Sequence, residues 1–524
     1  MEVPVESKGF FAPRARRRAA LVFSLLILAA APKPALAQGT ARDVLQAAMT
    51  AMGGEDRLRA ITALTYHAVG ERQMVEQSER PSGPYFIDHF TITETRDIAG
   101  RRTRIESTHQ AYAADHWWVK DAPASAVVVL NGETSAIDAN GTFQYAGGYQ
   151  VESNDDQFAF APERVLLTAA AAADLHRGPD VLLHGVPHHT LEFHHDGAVV
   201  RLSINAATNL PWMVTFTRAY PYNVFLNPWG DVTTSITYSA WTLEPFGISY
   251  PREWTSARLN LPDQQIFIVD LKLNPPLDEA ALTLPPDMVR DHPHPQAIDT
   301  YPLGFHGSGK PHELAGGILE VPGGWNVTFV RQSDGIVLIE APWSTGYTQR
   351  AIDLARATFS LPVKAVVTTS DSWPHIAGVR QAVADGIPVY ALDLNEPILH
   401  RLLAAPHTMH PDALAIAKRT PRFVFVAKPT VLGSGTNRLV IYPYRTATAE
   451  RQMMIYFPEH RLLYTSDLFS QADSDDDWFT PQYLHEAIGA IRHYGLEPET
   501  VFGMHYTEIP YQKLVDAERR WIHG

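Results

Sequence analysis

Three proline clusters divide this chain. Asn274-Pro275-Pro276, Leu284-Pro285-Pro286 and His292-Pro293-His294-Pro295 follow one another between residues 274 and 295. Proline fixes φ and has no backbone N–H, so neither a continuous helix nor a central strand runs through such a stretch. The sequences on either side must therefore complete separate hydrogen-bond ladders. The full 524 residues are also too many for one hydrophobic core. We expect an N-terminal domain over residues 38–290, a linker over 291–310 and a C-terminal domain over 311–524.

Before the prolines the pattern is mainly β. Runs at 64–70, 85–95, 126–130, 189–193, 199–204, 232–238 and 265–273 are rich in Val, Ile, Thr and aromatic residues. Asn131-Gly132, Asn140-Gly141 and Asp196-Gly197 mark turns, and the last has the form of a two-residue hairpin. A helix is expected after Thr40, an N-cap with Asp43 three residues on. Val44, Leu45, Ala48 and Met52 fall on one face of it, and Gly53-Gly54 stops it. Further helices are read at 55–61 and 163–176.

After the prolines strand and helix signals alternate, as in a layered α/β fold. Strands are read at 318–321, 327–331, 336–340, 364–368, 388–391, 422–426, 439–443, 453–457, 462–466 and 500–503. Helices are read at 348–359, 376–385, 395–403 and 481–494.

Residues 1–37 have the layout of a secretory signal peptide. Arg14, Arg16, Arg17 and Arg18 precede an apolar run at 21–31, and Ala35-Leu36-Ala37 is a small-x-small cleavage site. The expectation is export to the periplasm or secretion, with Gln38 as the mature start and no transmembrane segment after it. The chain carries 43 Lys/Arg against 57 Asp/Glu, and removing residues 1–37, with six basic and two acidic residues, takes the net charge from −14 to −18. So acidic a surface argues against nucleic-acid binding, which depends on releasing phosphate counterions. With no cysteine, thiolate chemistry and cysteine metal ligation are excluded.

Three segments of the C-terminal part carry a more specific pattern. "VVTTSDSWPHIAGVR" is a buried strand ending in Thr, then a six-residue loop, then a helix; "MMIYFPEHRLLYTSDLF" is strand, turn and strand leading to an aspartate; "VFGMHY" is a strand ending in Gly-x-His. In this order and spacing they resemble the metallo-β-lactamase superfamily, which implies an αββα-sandwich C-terminal domain after the mainly β, curved-sheet N-terminal one. The resemblance also places the family's metal ligands. His375, Asp467 and His505 fall on ligand positions, all belonging to the family's second metal. Ser370, Ser372 and Pro374 stand where the family has His, His and Asp, and the remaining His falls near Thr448, so no ligand exclusive to the first metal is kept. Two histidines and a carboxylate suffice for one zinc with a position left for water. The expected cofactor is thus at most one zinc. In the family the lost Asp also orients that water, and Pro374 neither ligates nor accepts a proton. A hydrolase of unknown substrate and a non-catalytic binding protein both remain open, and no catalytic residue is assigned.

The N-terminal part resembles the lipoprotein-localisation factors through "AMGGEDRLRAITALTYHAVG", "VRLSINAATNLPWMV" and "QIFIVDLKLNPPLDEA". That resemblance implies a curved sheet with an apolar concave face, and hence a small-molecule or lipid-like ligand; a scaffold is the simpler expectation. Among other histidines, His184, His188, His189, His194 and His195 crowd one hairpin and read as a solvated edge, with His188 and His194 on one face and His189 and His195 on the other. Asp473, Asp475, Asp476 and Asp477 read as a solvated loop, since the Gly and distal Glu of a calcium loop are missing. Gly307-Ser308-Gly309-Lys310 is too short for a phosphate loop, and no Gly-x-Ser-x-Gly elbow is present.

Overall fold

A computed structural model describes residues 39–76, 83–111, 124–139, 141–469 and 481–523. The signal-peptide segment, Asn140 and the Asp473–Asp477 run lie outside the described residues. From Thr40 onward the chain forms one compact unit. It opens with a capping box. Thr40 Oγ1 accepts from the Asp43 N–H, and Asp43 Oδ2 accepts from the Thr40 N–H at 2.7 Å. The helix Ala41–Ala51 buries Val44, Leu45, Ala48 and Met49. The short helix Glu55–Arg59 follows.

The N-terminal part is built on a 14-stranded antiparallel sheet. Strands Val186–His195 and Ala198–Asn205 are joined through Asp196 and Gly197, whose φ values of 44° and 78° are those of a two-residue hairpin turn. Along Val186–His195 the alternation puts His188 and His194 on one face. Their side chains bond apart: His188 Nδ1 to the Val186 carbonyl at 2.8 Å, His194 Nδ1 to Asp174 at 2.6 Å, and His189 Nδ1 to Asp180 at 3.0 Å.

Helix Pro162–Ala171 stands where the sequence reads a helix at 163–176, and a second helix, Gly148–Phe160, precedes it where none is read. Pro162 pushes Ala161 into extended backbone (φ −61°, ψ 154°), which ends the first helix and starts the second. The first helix has no apolar stripe because it docks through polar groups. Asp156 receives Arg218 Nη1 and Tyr220 OH, each at 2.8 Å, and Asn154 Oδ1 receives Thr103 Oγ1 at 2.7 Å. Beneath both helices lies a buried charge cluster. Arg96, 0% exposed, reaches Glu94 at 2.5 Å and Glu163 at 2.6 Å, while Tyr66 OH donates to Glu94 and Tyr250 OH to Glu163.

The C-terminal part has a seven-stranded sheet, from His312–Ala315 to Phe423–Val426, and a six-stranded sheet, from Thr430–Leu432 to Ile509–Pro510. Period-two alternation sorts their residues. Val330, Val337, Ile339 and Val367 of the first sheet share one core with Leu439, Ile441, Met453, Ile455 and Tyr464 of the second. The alternate residues of the first sheet, Phe329, Ile336, Leu338 and Val366, pack against Tyr347, Ala351 and Ile352 of helix Thr345–Phe359 and Val379 and Val383 of helix Val379–Ala384. Those of the second, Met454, Leu463 and Val501, pack against Leu484 and Ile488 of helix Pro481–His493 and Leu514 and Ala517 of helix Tyr511–His523.

The two parts interlock. Trp229 lies against Trp373 with ring centroids 4.8 Å apart, and Asp231 accepts from the N–H groups of Thr408 and Met409 at 2.9 and 3.0 Å. The segment expected as a linker is itself packed: Ile298 is 1% exposed, and Asp299 Oδ1 accepts from Gly346 N at 2.6 Å at the start of helix Thr345–Phe359. No helix among the described residues is long and apolar enough to cross a membrane.

Removing one member of a buried ion cluster leaves an uncompensated charge, which costs about 3–5 kcal/mol. Arg96→Met is therefore expected to lower stability by that amount in chemical denaturation. A loss below about 1 kcal/mol, the ordinary range of an exposed pair, would contradict this reading of the cluster.

Candidate metal centre

The strands of the C-terminal part deliver three separated residues to one point. Strand Val363–Val367 leads through residues 368–372 to the short helix Trp373–Ile376, which carries His375. Asp467 follows strand Leu462–Tyr464, and His505 follows strand Thr500–Phe502. One ligand atom from each lies within 4.8 Å of the others, and this is the one such group of three or more among the described residues. His375 Nε2 is 3.4 Å from Asp467 Oδ2, and His505 Nε2 is 3.0 Å from Asp467 Oδ1.

Hydrogen bonding sets where the protons sit. His505 Nδ1 is 3.1 Å from the Gly324 carbonyl, which only accepts, so Nδ1 carries a proton and Nε2 is the nitrogen turned to Asp467, 3.0 Å from its Oδ1. Trp325 Nε1–H donates to His375 Nε2 at 3.2 Å, so His375 is also protonated at Nδ1. That Nδ1–H is buried with no partner. Burial pushes the His375 pKa down to about 4, which leaves the ring neutral at pH 7. Burial alone would raise Asp467, but His375, His505 and a hydrogen bond with Ser370 outweigh it and hold the carboxyl below its usual range. Two imidazole Nε2 atoms and an ionised carboxylate therefore converge in a buried site.

The donor set fits a small cation. Ligands about 2 Å from a tetrahedral zinc stand about 3.3 Å apart, close to the separations found here. His505 also has the backbone partner that usually orients a ligating imidazole, whereas His375 lacks one.

The other family positions are turned to different work. Ser370 bonds Asp467, and Ser372 Oγ donates to the Glu76 carbonyl at 3.2 Å. The Pro374 carbonyl accepts from Trp343 N at 2.9 Å. Thr448 bonds Glu486 through N at 3.0 Å and Oγ1 at 2.7 Å, away from the three donors. Glu76 belongs to the N-terminal part, so that part closes the side of the site where Ser372 stands; its carbonyl also accepts from Trp373 N at 3.1 Å.

Two residues that the sequence reading did not single out shape the centre. Trp325 lies beside both imidazoles, with ring centroids 6.3 Å from His375 and 6.1 Å from His505, and stacks edge-on with Trp343 at 3.9 Å. Glu340, 0% exposed, ends strand Gly335–Ile339. Burial pushes its pKa up to about 8, and the Asp467 charge adds to the shift. It is thus a neutral acid at pH 7, bonded to Thr369 Oγ1, which is 2.7 Å from Ser466 Oγ, and receiving Tyr464 OH at 3.1 Å. A polar residue directly after the apolar run "GIVLI" was the available signal for Glu340; nothing in the sequence pattern distinguishes Trp325.

No family model matches this chain, and no curated protein sequence matches it. Solved structures similar to it include a metallo-beta-lactamase from Pontibacter korlensis, at 15% identity over 41% of this chain and 99% of that one, TM-score 0.32. They also include the metallo-beta-lactamase FIM-1 from Pseudomonas aeruginosa in a mono-zinc form, at 13% identity over 40% and 93%, TM-score 0.32. A third is the inverting sec-alkylsulfatase Pisa1 from Pseudomonas sp., at 18% identity over 41% and 42%, TM-score 0.31. At these values the matches decide neither fold nor function.

Glu340 gives a pH test. Its folded pKa lies above its unfolded one, so its contribution to stability is greatest below pH 4.5 and is lost as pH rises towards 8. Glu320, raised to about 8, and Glu152, raised to about 7, act with the same sign. His375, lowered to about 4, opposes them, because its contribution grows as pH rises from 4 to 6.5. Relative to wild type, Glu340→Gln should therefore lose less melting temperature, or gain more, between pH 5 and pH 8. Parallel pH profiles for wild type and variant would refute the assignment of a protonated Glu340.

Proposed function

We propose that the C-terminal part is an αββα sandwich of the metallo-β-lactamase type and holds a single metal ion, zinc by donor chemistry, on His375, Asp467 and His505. The observation that carries this is the convergence of two imidazole Nε2 atoms and an ionised carboxylate on one buried point. A bound cation makes that arrangement favourable. A zinc held this way lowers the pKa of its bound water towards 7 and supplies hydroxide for hydrolysis. The residues themselves provide less than a hydrolase needs. Pro374 offers no carboxylate to orient a water, Ser370 is engaged with Asp467, and the Glu76 carbonyl occupies Ser372. We therefore read the centre as metal-binding with weak or no turnover of β-lactams and simple esters.

The N-terminal part serves in this reading as a scaffold that braces the site through Glu76, Trp229 and Asp231. Residues 1–37 direct export, and the protein works in the periplasm or outside the cell. A non-catalytic binding protein is the second reading, and the Trp325–His375 hydrogen bond favours it, because the indole holds the lone pair that a metal requires.

Elemental analysis of purified protein tests the first reading. Wild type should contain about one equivalent of zinc or less, and His505→Ala none, because two remaining protein ligands are too few for a stable site. Two equivalents in wild type would overturn the ligand assignment, and undiminished zinc in His505→Ala would remove His505 from it. Trp325→Phe frees His375 Nε2 and should tighten zinc binding in a competition titration with a chelating dye. Unchanged affinity would show that the indole does not compete with the metal.

A further inference from the structure

Far from the three donors in sequence, helix Pro162–Ala171 borders a cleft of about 430 Å³ on the N-terminal part. Arg164 lines it from the helix, Arg101 from the turn before strand Arg102–Ala111, and His194 and His195 from the hairpin strand Val186–His195. The partners of the neighbouring cations are known. Arg101 pairs with Asp155 at 2.7 Å and rests on the Phe158 ring at 5.1 Å. Arg59 pairs with Glu55 at 2.7 Å, Arg96 is held by Glu94 and Glu163, and His194 pairs with Asp174. Arg164 is different. It has no ion pair or hydrogen bond from its side chain among the described residues, and its Nε is buried without a partner.

A guanidinium does not shed its proton in proteins, so its charge must be met by solvent or by an acceptor. Burial disfavours the charged form of Arg164; Glu163 pulls the other way, and the nearby charges of Arg59, Arg101 and Arg96 add to the burial, so the balance stays against the charge. An anion in the cleft would relieve both effects. The acidic residues of the cleft do not do so: Asp155 is taken by Arg101, and the Asp196 side chain is 87% exposed.

We propose that Arg164 and Arg101 form a binding site for an oxyanion, the carboxylate, sulfate or phosphate group of a small ligand, separate from the metal centre. Planar guanidinium groups bind such groups through paired N–H donors. Phe158 and Asp155 hold Arg101 in place, which leaves Arg164 free to close on the ligand. The cleft is large enough for a ligand several times the size of the anionic group alone.

Isothermal titration calorimetry of the whole exported protein tests this with three probes: inorganic phosphate, inorganic sulfate and acetate. At least one should bind, and which one identifies the anion class. Arg164→Gln should weaken that binding about tenfold or more, the loss of one charge-assisted contact, while Arg164→Lys keeps part of it. Zinc content should be the same in all three proteins. If Arg164→Gln does not fold, Arg101→Gln takes its place with the same expected loss. Absence of binding by every probe, or equal binding by wild type and the folded glutamine variant, would overturn the proposal.

Discussion

The meeting of two imidazoles and one carboxylate at a buried point is the constraint on which this structure's centre depends. His375 Nε2 and His505 Nε2 stand 3.4 and 3.0 Å from the Asp467 carboxylate, and the Nδ1 atom of each ring is turned away from it. In a buried setting such a group is stable only around positive charge. The surroundings are arranged consistently with that. Glu340 lies below as a neutral acid and adds no second negative charge, and the indole rings of Trp325 and Trp343 replace water beside the imidazoles.

The large antiparallel sheet bears on this centre although it supplies none of the three donors. Glu76 gives its carbonyl to Ser372 and Trp373, and Trp229 packs on Trp373, two residues before His375. The loop that carries His375 is thus held from outside its own sheet.

Much of the architecture was legible because it follows from local rules. The Thr40 capping box, the Asp196-Gly197 hairpin and the alternation of Val337 and Ile339 against Ile336 and Leu338 are all written in short segments. The meeting of His375, Asp467 and His505 was expected through the family resemblance, since each follows a strand in a recognisable order, and the structure brings the three side chains together. Helix Gly148–Phe160 was not, because Asn154 and Asp156 dock it through hydrogen bonds and leave no apolar period to read. The parts played by Ser372 and Thr448 were equally hidden. Their partners, Glu76 and Glu486, lie 296 and 38 residues away, and no local pattern points to either. Trp325 was missed for the same reason: its importance comes from standing between two histidines that are distant in sequence.

A proton on His505 would also satisfy the three lone pairs, by forming an imidazolium–carboxylate pair, so the identity of the cation is the central question. Anomalous diffraction from crystals at the zinc absorption edge answers it most directly. The account predicts one peak, about 2 Å from His375 Nε2, His505 Nε2 and an Asp467 oxygen. Crystals of zinc-supplemented protein with no peak at this point, or with a second peak beside Ser370 and Ser372, would contradict it.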